Sequence, residues 1–303
     1  MSAGGSTGQI IQSLLVNVVI AASKAVAAVI TQSGAMLAEA LHSFSDCGNQ
    51  LLLLWGVKRA RKPADANHPL GYGRSLYFWS FIVALLLFTG GGVFSVHEGI
   101  EKLQHPEPVG PILTGVIILV ISLGLEGWSC LSNVKELNKR RGSVGFFRYL
   151  RETKDSDLVV VFGENSAAVI GLVFALVAIV LAKETGDGRW DGIGSLAIGL
   201  VLVGVAIFLA NEIRSLLLGE AADPITEQAV REIAEADPHV DQVLRVMTIQ
   251  QGPGEVVVAM KLRFKAGLAT GGELEKATNE LEERIEAKCP EVKWTFMEPD
   301  VAD

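Results

Sequence analysis

Six apolar runs fill the first 218 residues and then stop. They cover roughly 10–31, 34–57, 76–100, 112–134, 157–182 and 192–218. Each is close to the ~20 residues that an α-helix needs to cross a bilayer core of ~30 Å. The first two runs are separated only by Gln32-Ser33-Gly34, so they predict a tight helical hairpin. Gly90-Gly91-Gly92 in the third run predicts a kink or a close helix approach. After residue 218 the pattern changes. Thr226–Ala236 has helical periodicity, and Val240–Gln250 and Glu255–Phe264 have strand character on either side of the turn signal Gly252-Pro253-Gly254. Gly272–Lys288 is an amphipathic helix and Glu291–Met297 a last strand. The order αββαβ predicts a compact open sheet with two helices on one face. The expected architecture is therefore an α-helical polytopic membrane domain of six transmembrane helices, residues 1–218, followed by a small ferredoxin-like α+β domain, residues 219–303.

Composition supports that division. Half of the 303 residues are hydrophobic and the mean hydropathy is +0.38, which excludes an ordinary soluble enzyme. The net charge of −8 is unevenly spread. Residues 219–303 hold 18 acidic and 9 basic side chains, whereas the membrane part holds 16 and 17. Nothing in this balance points to nucleic acid. Lys58, Arg59, Arg61, Lys62 and Arg74 follow the second run, and Lys139, Arg140, Arg141, Arg148, Arg151 and Lys154 follow the fourth. The other loops hold little beyond Lys102, Lys183 and Arg189. The positive-inside rule then makes both basic loops, both termini and the acidic domain cytoplasmic. Met1–Gly8 is short and polar with no basic n-region, so no removable signal peptide is expected. Cys47, Cys130 and Cys289 share no CxxC spacing, which gives neither a disulfide framework nor a zinc finger.

Ionisable residues inside a bilayer are costly and imply function. Glu39, His42 and Asp46 in the second run are spaced i, i+3 and i+7, which puts them on one helix face. An imidazole and a carboxylate four residues apart can grip one metal ion from a single helix. Glu164-Asn165 in the fifth run lies at a depth comparable to Asp46. Two opposed pairs, His42 with Asp46 and Glu164 with Asn165, would supply a four-ligand cage. A tetrahedral N/O cage suits zinc, and an oxygen-richer one manganese or magnesium. Other readings of Glu164 are a proton-carrying carboxyl or a partner of Lys24. Glu126 either faces a cavity or pairs with Lys24. Asn49 and Gln50 read as hydrogen-bond glue between helices. Asp191 reads as a helix-start residue, and His97 and His105 as loop histidines. Outside the runs, the densest polar motif is Asp65-Ala-Asn67-His68-Pro69-Leu70-Gly71-Tyr72-Gly73-Arg74. It is either a shaped turn or a second metal site built on Asp65 and His68. An embedded metal hydrolase has little support, because the runs contain no HExxH and no evident nucleophile–base pair.

The six runs, the αββαβ domain, His42-x-x-x-Asp46 and the Asn67-His68-Pro-x-Gly-x-Gly turn together resemble the cation diffusion facilitator family over nearly the whole chain. The resemblance implies a secondary transporter, not an enzyme, with no prosthetic group. It implies export of divalent transition metals, often zinc, with manganese, iron and cobalt as further cargoes, in exchange for protons. It also implies a homodimer formed through the cytoplasmic domain and the membrane helices. The host membrane would be the plasma or inner membrane in a prokaryote and an organelle membrane in a eukaryote. In the family the transport site takes two residues from span two, matched here by His42 and Asp46, and two from span five. Span five departs from the family's His-x-x-x-Asp, reading Val161-Phe-Gly-Glu164-Asn165, so Glu164 or Asn165 stands where the family has Asp. The loop site keeps His68, but a later histidine position is Tyr72. The family's His-x-Asp-Pro ending of the domain is Phe296-Met-Glu298-Pro299 here, and His239 is the domain's one histidine. The domain is therefore expected to dimerise by packing and to bind little or no structural zinc. The rival expectation is a passive cation channel, or a scaffold whose buried acids only hold helices together.

Overall fold

The computed structural model describes residues 3–106, 110–154, 156–267 and 270–301. The first two residues of the N-terminal segment lie outside them. The chain divides into two compact units.

The first unit comprises residues up to 56, 78–150 and 156–213. Its helices are α1 (Ala3–Thr31), α2 (Gly34–Ala60), α3 (Ser75–Leu86), a π-helical stretch (Leu87–Val93), α4 (Phe94–Gln104), α5 (Leu113–Arg140), the short α6 (Phe146–Glu152), α7 (Ser156–Thr185) and α8 (Arg189–Leu218), several running on into the other unit. Among the described residues, four helical stretches are long and apolar enough to cross a membrane: Ser75–Gln104, Leu113–Arg140, Leu158–Thr185 and Arg189–Leu218. The first two expected runs are built differently. Among the described residues, α1 offers a shorter apolar stretch, Asn17–Thr31. α2 is 27 residues long but carries Glu39, His42, Ser43 and Asn49, all buried within the protein. Its polar side faces neighbouring helices, Glu39 meeting Lys24 of α1 and Asn49 meeting Glu164 of α7.

Gly90-Gly91-Gly92 falls in the π-helical stretch, and its expected close approach is present. Gly92 and Gly99 lie seven residues apart, as do Gly192 and Gly199 on α8. A Cβ on Gly192 would stand 3.1 Å from the Gly99 carbonyl oxygen, and one on Gly199 3.0 Å from that of Gly92. Glycine seams of this kind let helix backbones touch where lipid provides no hydrophobic drive between helices.

The α1–α2 hairpin is locked from a distance. Asp191, in the first turn of α8 and fully buried, accepts hydrogen bonds from the Ser33 hydroxyl, from Gly34 N at 2.6 Å and from Ala35 N at 3.3 Å. Ser33 Oγ in turn accepts from Met36 N. The carboxylate satisfies the free N–H groups at the start of α2 and sits at the positive end of its dipole. Asp191 is a helix-start residue as expected, but the helix it caps is α2.

The second unit comprises 57–77, 151–155 and 214–303, so it takes in parts of both basic loops. Its helices and strands are α9 (Pro224–Glu235), β1 (Val240–Gly252), β2 (Glu255–Phe264), α10 (Gly271–Lys288) and β3 (Val292–Pro299). The order is the expected αββαβ. The sheet runs β1-β2-β3, antiparallel between β1 and β2 and parallel between β2 and β3. Asp223 caps α9, with Pro224 in its first turn. Thr270 and Glu273 form a capping box on α10. Val230, Ile233, Val246, Val258, Leu262, Leu281 and Ile285 form the core. The loops join this unit through the Gln251 amide, which donates to Leu70 O at 3.2 Å, and through the Lys154–Glu220 ion pair.

Candidate functional site

The α2 helix fixes the first part of the site. His42, Asp46 and Asn49 fall at i, i+4 and i+7, so they share a face. His42 Nδ1 lies 3.5 Å from Asp46 Oδ1; the imidazole is fully buried and the Asp46 side chain is 16% exposed. The second part comes from α7, where successive residues step about 100° around the helix. Gly163 packs on Val205 and Leu209 of α8. Glu164, next along, points to α2, and its Oε1 accepts from Asn49 Nδ2 at 2.6 Å. Asn165, next again, turns to α5 and donates to Ser129 Oγ at 3.3 Å. Of the Glu164-Asn165 pair, the structure brings Glu164 to the α2 face and occupies the Asn165 amide elsewhere.

The remaining hydrogen-bond valences are informative. Among the described residues, neither ring nitrogen of His42 has a hydrogen-bond partner, nor do Asp46 Oδ1, Asn49 Oδ1 or Gln50 Oε1. Leaving one buried polar group unsatisfied costs about 1–3 kcal/mol, so several on one helix face describe a place prepared for a cationic or polar guest. Asp46 also lies within electrostatic range of Glu164 and Glu126. Among the described residues, no three His, Cys, Asp or Glu side chains already stand around one point as a metal shell. Gathering His42, Asp46 and Glu164 on one ion therefore requires the Glu164 carboxylate to turn or the helices to close, and with two oxygens the carboxylate can do so while Oε1 keeps the Asn49 bond.

Lys24 bears on the pairings expected of Glu164 and Glu126. Its ammonium pairs with Glu39 Oε2 at 3.1 Å and donates to Ser43 Oγ at 2.8 Å, and Lys24 and Glu39 are both fully buried. The Lys24 ion pair is thus with Glu39, whereas the Glu164 carboxylate is bonded to Asn49. Glu39 shares the α2 face with His42 and Asp46; Lys24 engages its Oε2, and among the described residues its buried Oε1 has no hydrogen-bond partner. Asn49 is interhelical glue, as expected, but the group it holds is a candidate ligand. The spacing of Asn49, one turn beyond Asp46, was the available signal.

The loop motif has a different chemistry. Asp65 Oδ1 accepts from Asn67 N at 3.0 Å and His68 N at 2.9 Å, and Oδ2 accepts from Tyr72 OH at 2.7 Å and Lys62 Nζ at 2.9 Å. The Tyr72 and Lys62 hydrogen bonds hold the Asp65 carboxyl well below the usual carboxylate range. His68 stacks on Tyr72 with centroids 4.1 Å apart. His68 Nδ1 is 3.6 Å from Asp65 Oδ1. This is a turn that satisfies itself.

The two-unit architecture and the buried acidic site define an integral membrane protein equipped for a cation. Residues 10–218 match the family described as the cation efflux transmembrane domain. The chain is similar to the mitochondrial proton-coupled zinc antiporter SLC30A9 of Homo sapiens, with 34% identity over 278 residues, 90% of this chain and 49% of the relative. It is 31% identical over 246 residues to metal tolerance protein C4 of Arabidopsis thaliana, covering 80% of this chain and 52% of the relative. It is 37% identical over 110 residues to magnetosome protein MamM of Paramagnetospirillum magneticum, 35% of each chain. The chain spans about half the length of the first two relatives. It belongs to the cation diffusion facilitator family.

Proposed function

We propose that the chain exports divalent metal cations in exchange for protons by alternating access, with zinc the favoured cargo and manganese, iron and cobalt also suited to its donors. The observation that carries this reading is the buried His42–Asp46 pair with unpartnered donor atoms, facing a helix from which Glu164 reaches the same face. One imidazole and two carboxylates match the nitrogen–oxygen preference of zinc and neutralise a dication. The names of the antiporter and metal-tolerance relatives agree with this cargo class. Proton exchange follows from the ligands themselves. Imidazole and carboxylate bind metal only when deprotonated. Protons arriving from the far side compete for the groups that the ion must leave. In this reading α1 and α2 are spans like the other four, the basic loops and the α+β domain are cytoplasmic, and the protein works as a homodimer. The mitochondrial relative suggests an organelle membrane in a eukaryotic host; in a prokaryote the inner membrane takes that place.

The test is zinc flux into sealed proteoliposomes under an imposed pH gradient, with Asp46→Ala as control. Flux that needs both the gradient and Asp46 is the expected result. Undiminished flux in a folded Asp46→Ala protein sinks the site. If zinc, manganese, iron and cobalt all fail to move, the scaffold explanation replaces the transporter.

A further inference from the structure

The buried Lys24–Glu39 pair is not used by the metal site, yet it lies on the route. Glu39 stands three residues before His42 on α2, and five residues after the helix starts at Gly34. At ~1.5 Å per residue the pair lies between His42 and the α1–α2 turn, the end of the unit remote from the basic loops. A third helix closes the same level. Gly171 on α7 is seven residues beyond Glu164, in the direction that leads away from the loop at 151–155. A Cβ on Gly171 would collide with Glu39 Oε1, so the carboxylate lies directly against the α7 backbone. Lys24 is fixed on its other side by the Ser43 hydroxyl, next to His42. Thus α1, α2 and α7 meet at one fully buried ion pair. On α2, Glu39, His42 and Asn49 are fully enclosed, while Asp46 between them retains exposure. The unpartnered Asn49 and Gln50 oxygens continue from Asp46 toward the basic-loop end. Unpartnered buried oxygens thus lie on both sides of His42, and on the side of the α1–α2 turn the path is crossed by the Lys24–Glu39 pair.

We propose that Lys24, Glu39 and Ser43 form the far-side gate of the transport path, and that the ion pair must open for metal to leave toward the α1–α2 turn. This inference rests on the transporter reading above. Lys24 is a positioning residue, not a ligand. Its ammonium occupies the level that a departing dication must cross, so ion and ammonium repel each other while the gate is shut. Separating a buried pair leaves two uncompensated charges, so the shut pair is a barrier, and opening it requires water or new partners to take up the freed charges.

The experiment uses the full-length protein in proteoliposomes. Removing one charge strands the other in a buried site and risks misfolding, so the primary variant is the double neutral Lys24→Met/Glu39→Gln. The charge-swapped Lys24→Glu/Glu39→Lys keeps the pair and serves as the second variant. Two signals are read: zinc flux without a pH gradient, and dissipation of an imposed pH gradient without zinc. The gate predicts that the neutral variant still binds zinc but leaks about tenfold faster, the rate change for a barrier lowered by roughly one weak interaction, and that the swapped variant seals again. A neutral variant as tightly coupled as the wild type overturns the gate. So does a neutral variant that fails to fold alongside a swapped one that folds and leaks. Loss of Asp46-dependent flux in the wild-type protein would instead overturn the transporter reading, so the two failures are distinct.

Discussion

Two histidine–aspartate pairs occur in this chain at almost the same spacing, and the structure gives them opposite characters. Asp65 and His68 sit three residues apart in the loop, His42 and Asp46 four apart in α2. Both pairs bring Nδ1 to about 3.5–3.6 Å of a carboxylate oxygen, too long for a hydrogen bond. What differs is everything else those atoms touch. Asp65 accepts from two backbone N–H groups, a phenol and an ammonium, and His68 is half-exposed and stacked. His42 is buried with both nitrogens unpartnered. The first pair is committed to the backbone that surrounds it and the second is held in reserve. The unmet hydrogen-bond valence of buried atoms, more than residue type or spacing, distinguishes a prospective ligand from a turn residue.

The strongest way to break this comparison is to remove each pair in turn. His42→Ala is expected to reduce zinc binding to the detergent-solubilised protein to background, because the proposed site loses its imidazole donor. His68→Ala is expected to leave the affinity within about twofold, since a solvent-exposed side chain away from the site contributes little. Calorimetric titration at fixed pH reads both. If His68→Ala abolishes binding and His42→Ala does not, the roles assigned to the two pairs are reversed.

A smaller effect sharpens the same contrast inside the membrane unit. Asn49→Ala frees the Glu164 carboxylate without touching a ligand. Losing such an outer partner typically costs about 10–100-fold in metal affinity or activity. Asn165→Ala removes only the bond to Ser129 and is expected to change zinc flux by less than about threefold, in line with exposed interhelical hydrogen bonds. A larger loss from Asn165→Ala than from Asn49→Ala would mean that α7 presents Asn165 to the cargo.

Much of this was legible in the sequence because it follows from periodicity. The apolar runs became long helices. The order αββαβ held, and β2 spans the same residues expected of it, Glu255–Phe264. The start of α10 was placed one residue late, although Thr270-x-x-Glu273 already spells its capping box. Partner choice was not legible, because it depends on helix rotation and long-range packing. Lys24 had two acidic candidates, Glu164 and Glu126, and the assembled bundle pairs it with neither but with Glu39. Asp191 looked like the cap of its own helix, yet its carboxylate reaches across 157 residues to Gly34. Adjacent residues such as Glu164 and Asn165 cannot be ranked by spacing, since one step of ~100° decides which neighbour each meets. The short loops also gave no sign that 57–77 and 151–155 would join the α+β unit, because that contact is made by a backbone carbonyl and an ion pair far apart in sequence.

The smallest predicted effect concerns acid. Asp65 has a lowered pKa in the folded loop because Tyr72 and Lys62 hydrogen-bond its charged form. A group whose folded pKa lies below its unfolded value stabilises the fold above the unfolded value, ~3.9 for aspartate. That stabilisation is lost as pH falls from there through the folded pKa. The turn at 65–68 is therefore expected to keep its order from neutral pH down to about 4 and to loosen only below it. Protonation would weaken the bonds from Asn67 N, His68 N, Lys62 and Tyr72 together. Hydrogen exchange of the Asn67 and His68 amides measures this directly, with Asp65→Asn as the reference that lacks the charge at every pH. In the wild-type protein the two amides should be protected at pH 6 and lose protection below about pH 4, whereas in Asp65→Asn protection should be weaker and flat across the range. Zinc binding at pH 6 should be the same in both. If Asp65→Asn instead weakens zinc binding, the loop carboxylate takes part in handling the cargo, and the contrast between the two histidine–aspartate pairs fails at the loop.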